Sequence, residues 1–353
     1  MASAPPLAAP PLARLRIDRR RLATVGAPAG AVALGLLVGA GLVVAAGGDP
    51  LSAYGALLDG AFGNSLAFGE VLAQATPLVI IGLGLALAFR AGVWNIGAEG
   101  QLFVGALAGG AVAIELPIGS GPVLIAAALV AGIAAGAVWA WPVGVLRARW
   151  GVNEVITSLL LNYIGILLFS WAVRRPLRDP AAVQGLSGKE IPHAALLPDL
   201  SGVSVHIGAL IALALVPVVA YVMGRTPFGF RLRMLGAGTE AARVAGVPAG
   251  RFAVRLMMIS GGLAGLAGIV QVLGVSLRLD PNLSNGTGFT AIVVALIGRR
   301  SAVGVLLAAL LVAVLQAGGQ AMSVTEDLPY AIVLAMEGVF VVFLLIADRL
   351  ARR

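Results

Sequence analysis

The chain has no cysteine, a single lysine, two histidines and little charge: of 353 residues, 11% are Asp, Glu, Lys or Arg. The lack of cysteine excludes disulfides, thiolate zinc sites and thiol catalysis. The lysine, Lys189, lies in Gly185-Leu186-Ser187-Gly188-Lys189-Glu190. That stretch fails the G-x-x-x-x-G-K-[ST] spacing that cradles nucleotide phosphates, so no ATP chemistry is expected here. His193 and His206 stand far from any second ligand pattern, and the one adjacent carboxylate pair, Glu326-Asp327, flanks an apolar run. Neither a metal site nor a catalytic residue is expected, and the chain reads as a non-enzyme.

What is present is apolar and small. Hydrophobic residues make up 59% of the chain, 48 residues are glycine, and mean hydropathy is +1.00. Several uncharged runs reach or approach the ~20 residues that cross a bilayer, and the glycine content favours close helix packing. The expectation is an all-α polytopic membrane protein of about ten helices, over roughly 26–46, 71–88, 98–114, 123–146, 155–173, 207–224, 252–275, 288–298, 303–320 and 330–347. The eighth run is too short to cross alone and is expected to continue through irregular backbone from the Asp280 to Gly288 loop.

Charge tests this threading, because cytoplasmic loops collect Arg and Lys. With both termini inside, nineteen of the 24 basic residues fall on the cytoplasmic side and five outside. The +8 net charge therefore reads as a topology signal and not as a nucleic-acid surface; Arg299 and Arg300 read as cytoplasmic anchors. Residues 1–25 are too long and Pro-rich for a secretory signal and read as a disordered basic arm. The transmembrane domain is expected over 26–349, with a cytoplasmic loop at 225–251, an irregular outer loop at 174–205 and a tail at 350–353. An offset of five spans between segments 2–5 and 7–10 inverts orientation and fits an inverted repeat.

Polar residues inside such a chain need a purpose. Phe89 to Gln101 sets Arg90, Trp94, Asn95, Glu99 and Gln101 between two apolar runs, the pattern of a broken helix beside a protein-buried or watery pathway. Trp94 and Asn95 either contact a passing solute or serve packing and backbone freed by the break; Glu99 and Gln101 either line the pathway or, for Glu99, pair with Arg90. Asn162 and Tyr163 lie inside one span, and Glu337 is the carboxylate in the middle of an apolar run after the third. Asn153 and Glu154 read as a helix cap, and Gly261, Gly262, Gly265 and Gly268 as a packing face. In the 225–251 loop a short helix is expected: Thr239 as cap, Glu240 and Arg243 matching the dipole, Gly246 at the C′ position.

FRAGVWNIGAEGQLFVGALAGG (89–110), GVNEVITSLLLNYI (151–164), the Gly229 to Val247 loop and GFTAIVVALIGRRSAVGVLLAALL (288–311) together resemble permease subunits of bacterial ATP-binding-cassette importers for simple sugars and nucleosides, of the branched-chain type and its nucleoside branch. The resemblance implies a bacterial cytoplasmic (inner) membrane location and a coupling helix seated on a partner ATPase. It carries over to Gly238, Thr239, Glu240, Ala241, Ala242, Arg243 and Gly246. It also implies a paralogous second permease and a nucleoside-binding lipoprotein that delivers purine nucleosides. ATP and magnesium would sit on the ATPase, with no cofactor in this chain and no nucleic-acid partner. A simple-sugar permease, a proton-coupled carrier using Glu99 or Glu337, and a structural membrane protein are the alternatives.

Overall fold

The computed structural model describes residues 19–180, 187–200 and 205–351. The basic arm expected over 1–25 lies outside the described residues as far as 18, and from Arg19 the chain is helical. Helix α1 (Arg19–Ala45) turns through Gly47 into α2 (Pro50–Phe62), bent by 115° from it. Asp49 starts α2 by accepting from the Leu51 amide at 3.2 Å, with Pro50 supplying a pre-set first residue. The helices that follow are α3 (Ser65–Arg90), α4 (Ala98–Glu115), α5 (Gly121–Trp150), α6 (Glu154–Arg174) and α7 (Gly208–Arg225). Then come α8 (Pro227–Ala237), α9 (Thr239–Val244), α10 (Ala249–Gln271), α11 (Thr287–Ile297), α12 (Ala302–Thr325) and α13 (Tyr330–Ala351).

Among the described residues seven helices are long and apolar enough to cross a membrane, or eight if the bent α1–α2 pair is one span. The count falls short of ten because α11 is short and the stretch 98–114 carries Glu99 and Gln101 in its first turn. Helices α2 and α8 were not expected. Both follow a Pro at the first helical position, after a residue whose side chain caps the next turn: Asp49 for α2 and Thr226 for α8.

The bundle is concentric. Helix α3 and the α10 segment through Ser276 are mostly buried, whereas only about a quarter of α5, α6, α7 and α13 is buried. A helix apolar all round and surrounded by others suits the centre. The glycines expected to form a face on α10 do so: a Cβ on Gly265 would strike the Gly132 carbonyl of α5, and one on Gly268 the Leu102 carbonyl of α4. Small residues thus let α4, α5 and α10 approach backbone to backbone. Helix α3 packs on α10, α11 and α12, and α10 in turn on α3, α4 and α5.

The segment expected as an irregular outer loop is mostly irregular but carries two short antiparallel strands, β1 (Asp199–Leu200) and β2 (Val205–His206). It lies over the end of α10, where the helix loosens into a π turn at Val272–Ser276. The amides of Gly188, Ile191 and Leu197 donate to the carbonyls of Leu279, Leu277 and Leu273, each at 2.9 Å.

Candidate functional site

Two chain breaks meet in the middle of the fold. The first follows α3: Gly92 takes φ +70, residues 93–97 run without helix, and α4 begins at Ala98. Asn95, fully buried, exchanges both amide bonds with Gln101, at 2.8 and 3.0 Å, and donates to the Ser260 hydroxyl of α10 at 3.0 Å. From α6, Asn162 donates to the Ile96 carbonyl at 2.7 Å and accepts from the Gly100 amide at 2.8 Å, while the Ser158 hydroxyl accepts from the Ile96 amide at 3.2 Å. Buried amides cost free energy unless paired; here the side chains replace the helical partners that the break removes.

Glu99 joins this knot to the second break. Its Oε2 accepts from the Gly288 amide at 2.7 Å, in the first turn of α11, so a carboxylate meets the positive end of a helix. The pairing of Glu99 with Arg90 does not form: among the described residues Glu99 makes no ion pair, and α11 takes its place. The second break is residues 277–286, between the π turn and α11, as the short eighth run required.

Four of the six residues expected along a pathway, Asn95, Glu99, Gln101 and Asn162, are therefore buried and hydrogen-bonded within the protein. Trp94 is half-exposed, its ring 4.8 Å from that of Phe89. It borders a hollow of about 470 Å³ with Arg147 and Glu154, which are paired at 3.4 Å. Tyr163 faces outward. Asn153 caps α6 as expected, accepting from the Val155 amide at 2.9 Å.

Glu337 alone of the six lines a polar cavity, of about 520 Å³, walled by α3, α10, α12, α13 and the 283–290 segment. Its carboxylate accepts from the Gln316 amide at 3.1 Å. Carboxamides dominate the lining: Gln74, Gln271, Asn285, Gln316 and Gln320, joined by Glu70 and the hydroxyls of Ser284, Thr287, Thr290 and Tyr330. No lining residue is cationic. Gln74 donates to Glu70 at 2.9 Å, but the Gln271 Oε1 is buried without a partner. Sequence reasoning missed all of these but Glu337. The available signal was polar spacing at i and i+4 inside apolar helices, in Glu70 with Gln74 and Gln316 with Gln320, which sets each pair on one face. A cavity of this size, with convergent donors and acceptors and an unsatisfied oxygen, suits a small polar solute.

The loop helix α9 forms, with one change in its start. Gly238, at φ 130, is the cap and makes no side-chain bond; Thr239 is the first helical residue. Gly246 takes φ +68 beyond the end, as a C′ glycine does. Glu240 and Arg243 pair with each other and are exposed; the guanidinium holds the Glu240 carboxyl below its ordinary range. Ala242 is buried and Val244 is exposed, so the helix lies with one face on the bundle and presents Thr239, Glu240, Arg243 and Val244. Arg300, expected as an anchor, donates to the Phe89 carbonyl at 3.2 Å and ties the end of α3 to the α11–α12 turn.

Comparison with known proteins adds to this geometry. Residues 67–347 match the family model described as branched-chain amino acid transport system / permease component. The chain is 37% identical over 349 residues to the glucose ABC transporter permease protein TsgB13 of Haloferax volcanii, covering 95% of this chain and 91% of that one. It is 34% identical over 338 residues to the guanosine ABC transporter permease protein NupP of Bacillus subtilis, covering 92% and 94%. With the nucleoside ABC transporter permease protein NupB of Lactococcus lactis subsp. cremoris it shares 30% over 323 residues, 89% and 88% of the two chains.

Proposed function

The chain belongs to the branched-chain-type permease family of ATP-binding-cassette transporters, a multi-pass membrane protein and not an enzyme, and we propose that its polar cavity is the site through which a nucleoside passes. The observation that carries this reading is the lining: five carboxamides, two carboxylates and no cation. Such a wall donates to and accepts from hydroxyls and base edges, and repels anions, so phosphorylated solutes are excluded. The unpartnered Gln271 oxygen is an acceptor waiting for a solute hydroxyl or amine. Purine nucleosides are the favoured class, since two of the three relatives are named for guanosine or nucleosides. A glucose-type sugar is the second reading, favoured by the 37% relative.

Membership of this family implies an ATPase and a substrate-binding protein as partners. We assign the exposed edge of α9, with its Glu240 and Arg243, to the ATPase contact. ATP and magnesium belong to that chain, a lipoprotein delivers the nucleoside from outside, and a paralogous permease completes the pore. The surplus of Arg on one side supports cytoplasmic termini in a bacterial inner membrane. Ten crossings follow if α1 with α2 counts as one, and α4 and α11 each complete a span through their breaks. The packing supports an inverted repeat of α3–α6 and α10–α13: α3 lies on α12 as α10 lies on α5, and α11 lies on α3 as α4 lies on α10.

The test is uptake of labelled guanosine and labelled glucose by vesicles carrying the complete complex, beside the charge exchange Glu240→Arg with Arg243→Glu. The expected result is guanosine uptake, unaffected by excess glucose or GMP and lost in the exchange variant. Uptake of glucose alone selects the second reading. Neither solute entering through an assembled, ATP-hydrolysing complex overturns both.

A further inference from the structure

A third cavity, of about 670 Å³, opens where α5 ends beside the start of α10. Arg149, Arg251 and Arg255 line it, with apolar walls that include Val145, Ala148 and Val254. No carboxylate lines it. The three arginines form no ion pair or hydrogen bond with any described residue, whereas Arg147, two residues before Arg149 on the same helix, is paired with Glu154. Arg251 and Arg255 stand at i and i+4, where like charges repel. Helix α10 adds to the field: its first turn holds no acidic residue and no side chain caps its amides, so its positive end is uncompensated.

The apolar surface beside the cavity points to the class of ligand. Trp150, next to Arg149, is 65% exposed, as an aromatic at a membrane interface is. Two to three turns back along α5 from Arg149, Trp141 and Val138 are exposed as well, so the same helix that carries Arg149 also offers apolar surface. An anion with an apolar tail satisfies both parts, and basic pockets between membrane helices are known to take lipid head groups. We propose that this cavity binds the phosphate head group of an anionic phospholipid of the adjoining leaflet, held by Arg149, Arg251 and Arg255, with its acyl chains along α5.

The experiment is native mass spectrometry of the complete complex in mild detergent, titrated with phosphatidylglycerol and, separately, phosphatidylcholine. Wild type should retain one phosphatidylglycerol and no phosphatidylcholine. Affinity should fall roughly 100-fold in R149Q/R251Q/R255Q, about a factor of five for each cation. The Arg→Lys triple variant should retain most of it, and R255Q alone serves if the triple Gln variant does not fold. Equal retention by wild type and R255Q overturns the proposal. So does complete displacement by millimolar inorganic phosphate, which assigns the cavity to a soluble anion, or binding by the isolated permease that vanishes on adding the ATPase, which assigns it to an acidic segment of that partner.

Discussion

The knot around Asn95 and the cavity around Gln271 are made of the same groups, carboxamides, hydroxyls and carboxylates, in the same apolar bundle. In the knot each carboxamide is paired inside the protein: Asn95 with Gln101 and Ser260, Asn162 with Ile96 and Gly100. In the cavity Gln316 and Gln74 have partners but the Gln271 oxygen has none, and the walls are open to a solute. The difference separates polar residues paired around a broken helix from polar residues that converge on a cavity holding an unpaired oxygen. Density along the chain marks the former; convergence from separate helices marks the latter.

The largest effect should come from breaking the knot. Asn162→Leu leaves the buried Gly100 amide and the Ile96 carbonyl without partners, which costs about 2–6 kcal/mol at 1–3 for each group. Thermal unfolding of the purified chain in detergent should show a large drop in melting temperature, with poor yield. A variant that melts like wild type but transports with an altered KM would move Asn162 from the scaffold to the pathway and dissolve the distinction.

The same kind of substitution in the cavity should do the opposite. Gln271→Leu removes an acceptor that has no internal partner, so stability should hold or rise. The half-saturating solute concentration should increase about 5- to 10-fold, the equivalent of one lost hydrogen bond near 1 kcal/mol. Uptake kinetics and melting measured on one preparation decide the matter: an unchanged KM with a lower melting temperature would make Gln271 another structural amide.

Much of the scaffold was legible because it is written locally. The break at 92–97 shows as polar residues between apolar runs, the Asn153 cap as Asn before Glu at a helix start, and α9 as an acidic first turn, a basic last turn and a following glycine. The second break was inferred from a run too short to cross. Glu99 was read as lining a pathway or pairing with Arg90, but its partner lies 189 residues away at Gly288, a contact that packing alone creates. The cavity was harder to read for the same reason: Gln74, Gln271, Gln316 and Glu337 come from four helices, and the i, i+4 pairs Glu70 with Gln74 and Gln316 with Gln320 mark only two of its walls. The 115° bend between α1 and α2 turns at Gly47, and the sequence there differs little from an ordinary loop.

His206 stands between the two regions, sealed like the knot yet only half satisfied. It lies on β2, outside the spans, with Gly208 and Gly274 so close to its ring that neither has room for a side chain. Its Nδ1 accepts from the Gly208 amide at 3.1 Å, which sets the proton on Nε2, and Nε2 is buried without a partner. Burial holds the imidazole below its ordinary value, against the opposing pull of Asp199. The folded state therefore binds this proton less readily than the unfolded chain does. Stability from this site is complete above the unfolded value near 6.5 and is lost as pH falls through it. Wild type should thus melt at lower temperature near pH 5.5 than near pH 7.5, by a smaller margin than Asn162→Leu produces. His206→Asn retains an acceptor for the Gly208 amide and has no proton to take up, so its melting temperature should be less sensitive over the same range. If both proteins lose stability equally on acidification, another group carries the pH dependence, and His206 belongs with the fully compensated residues of the knot.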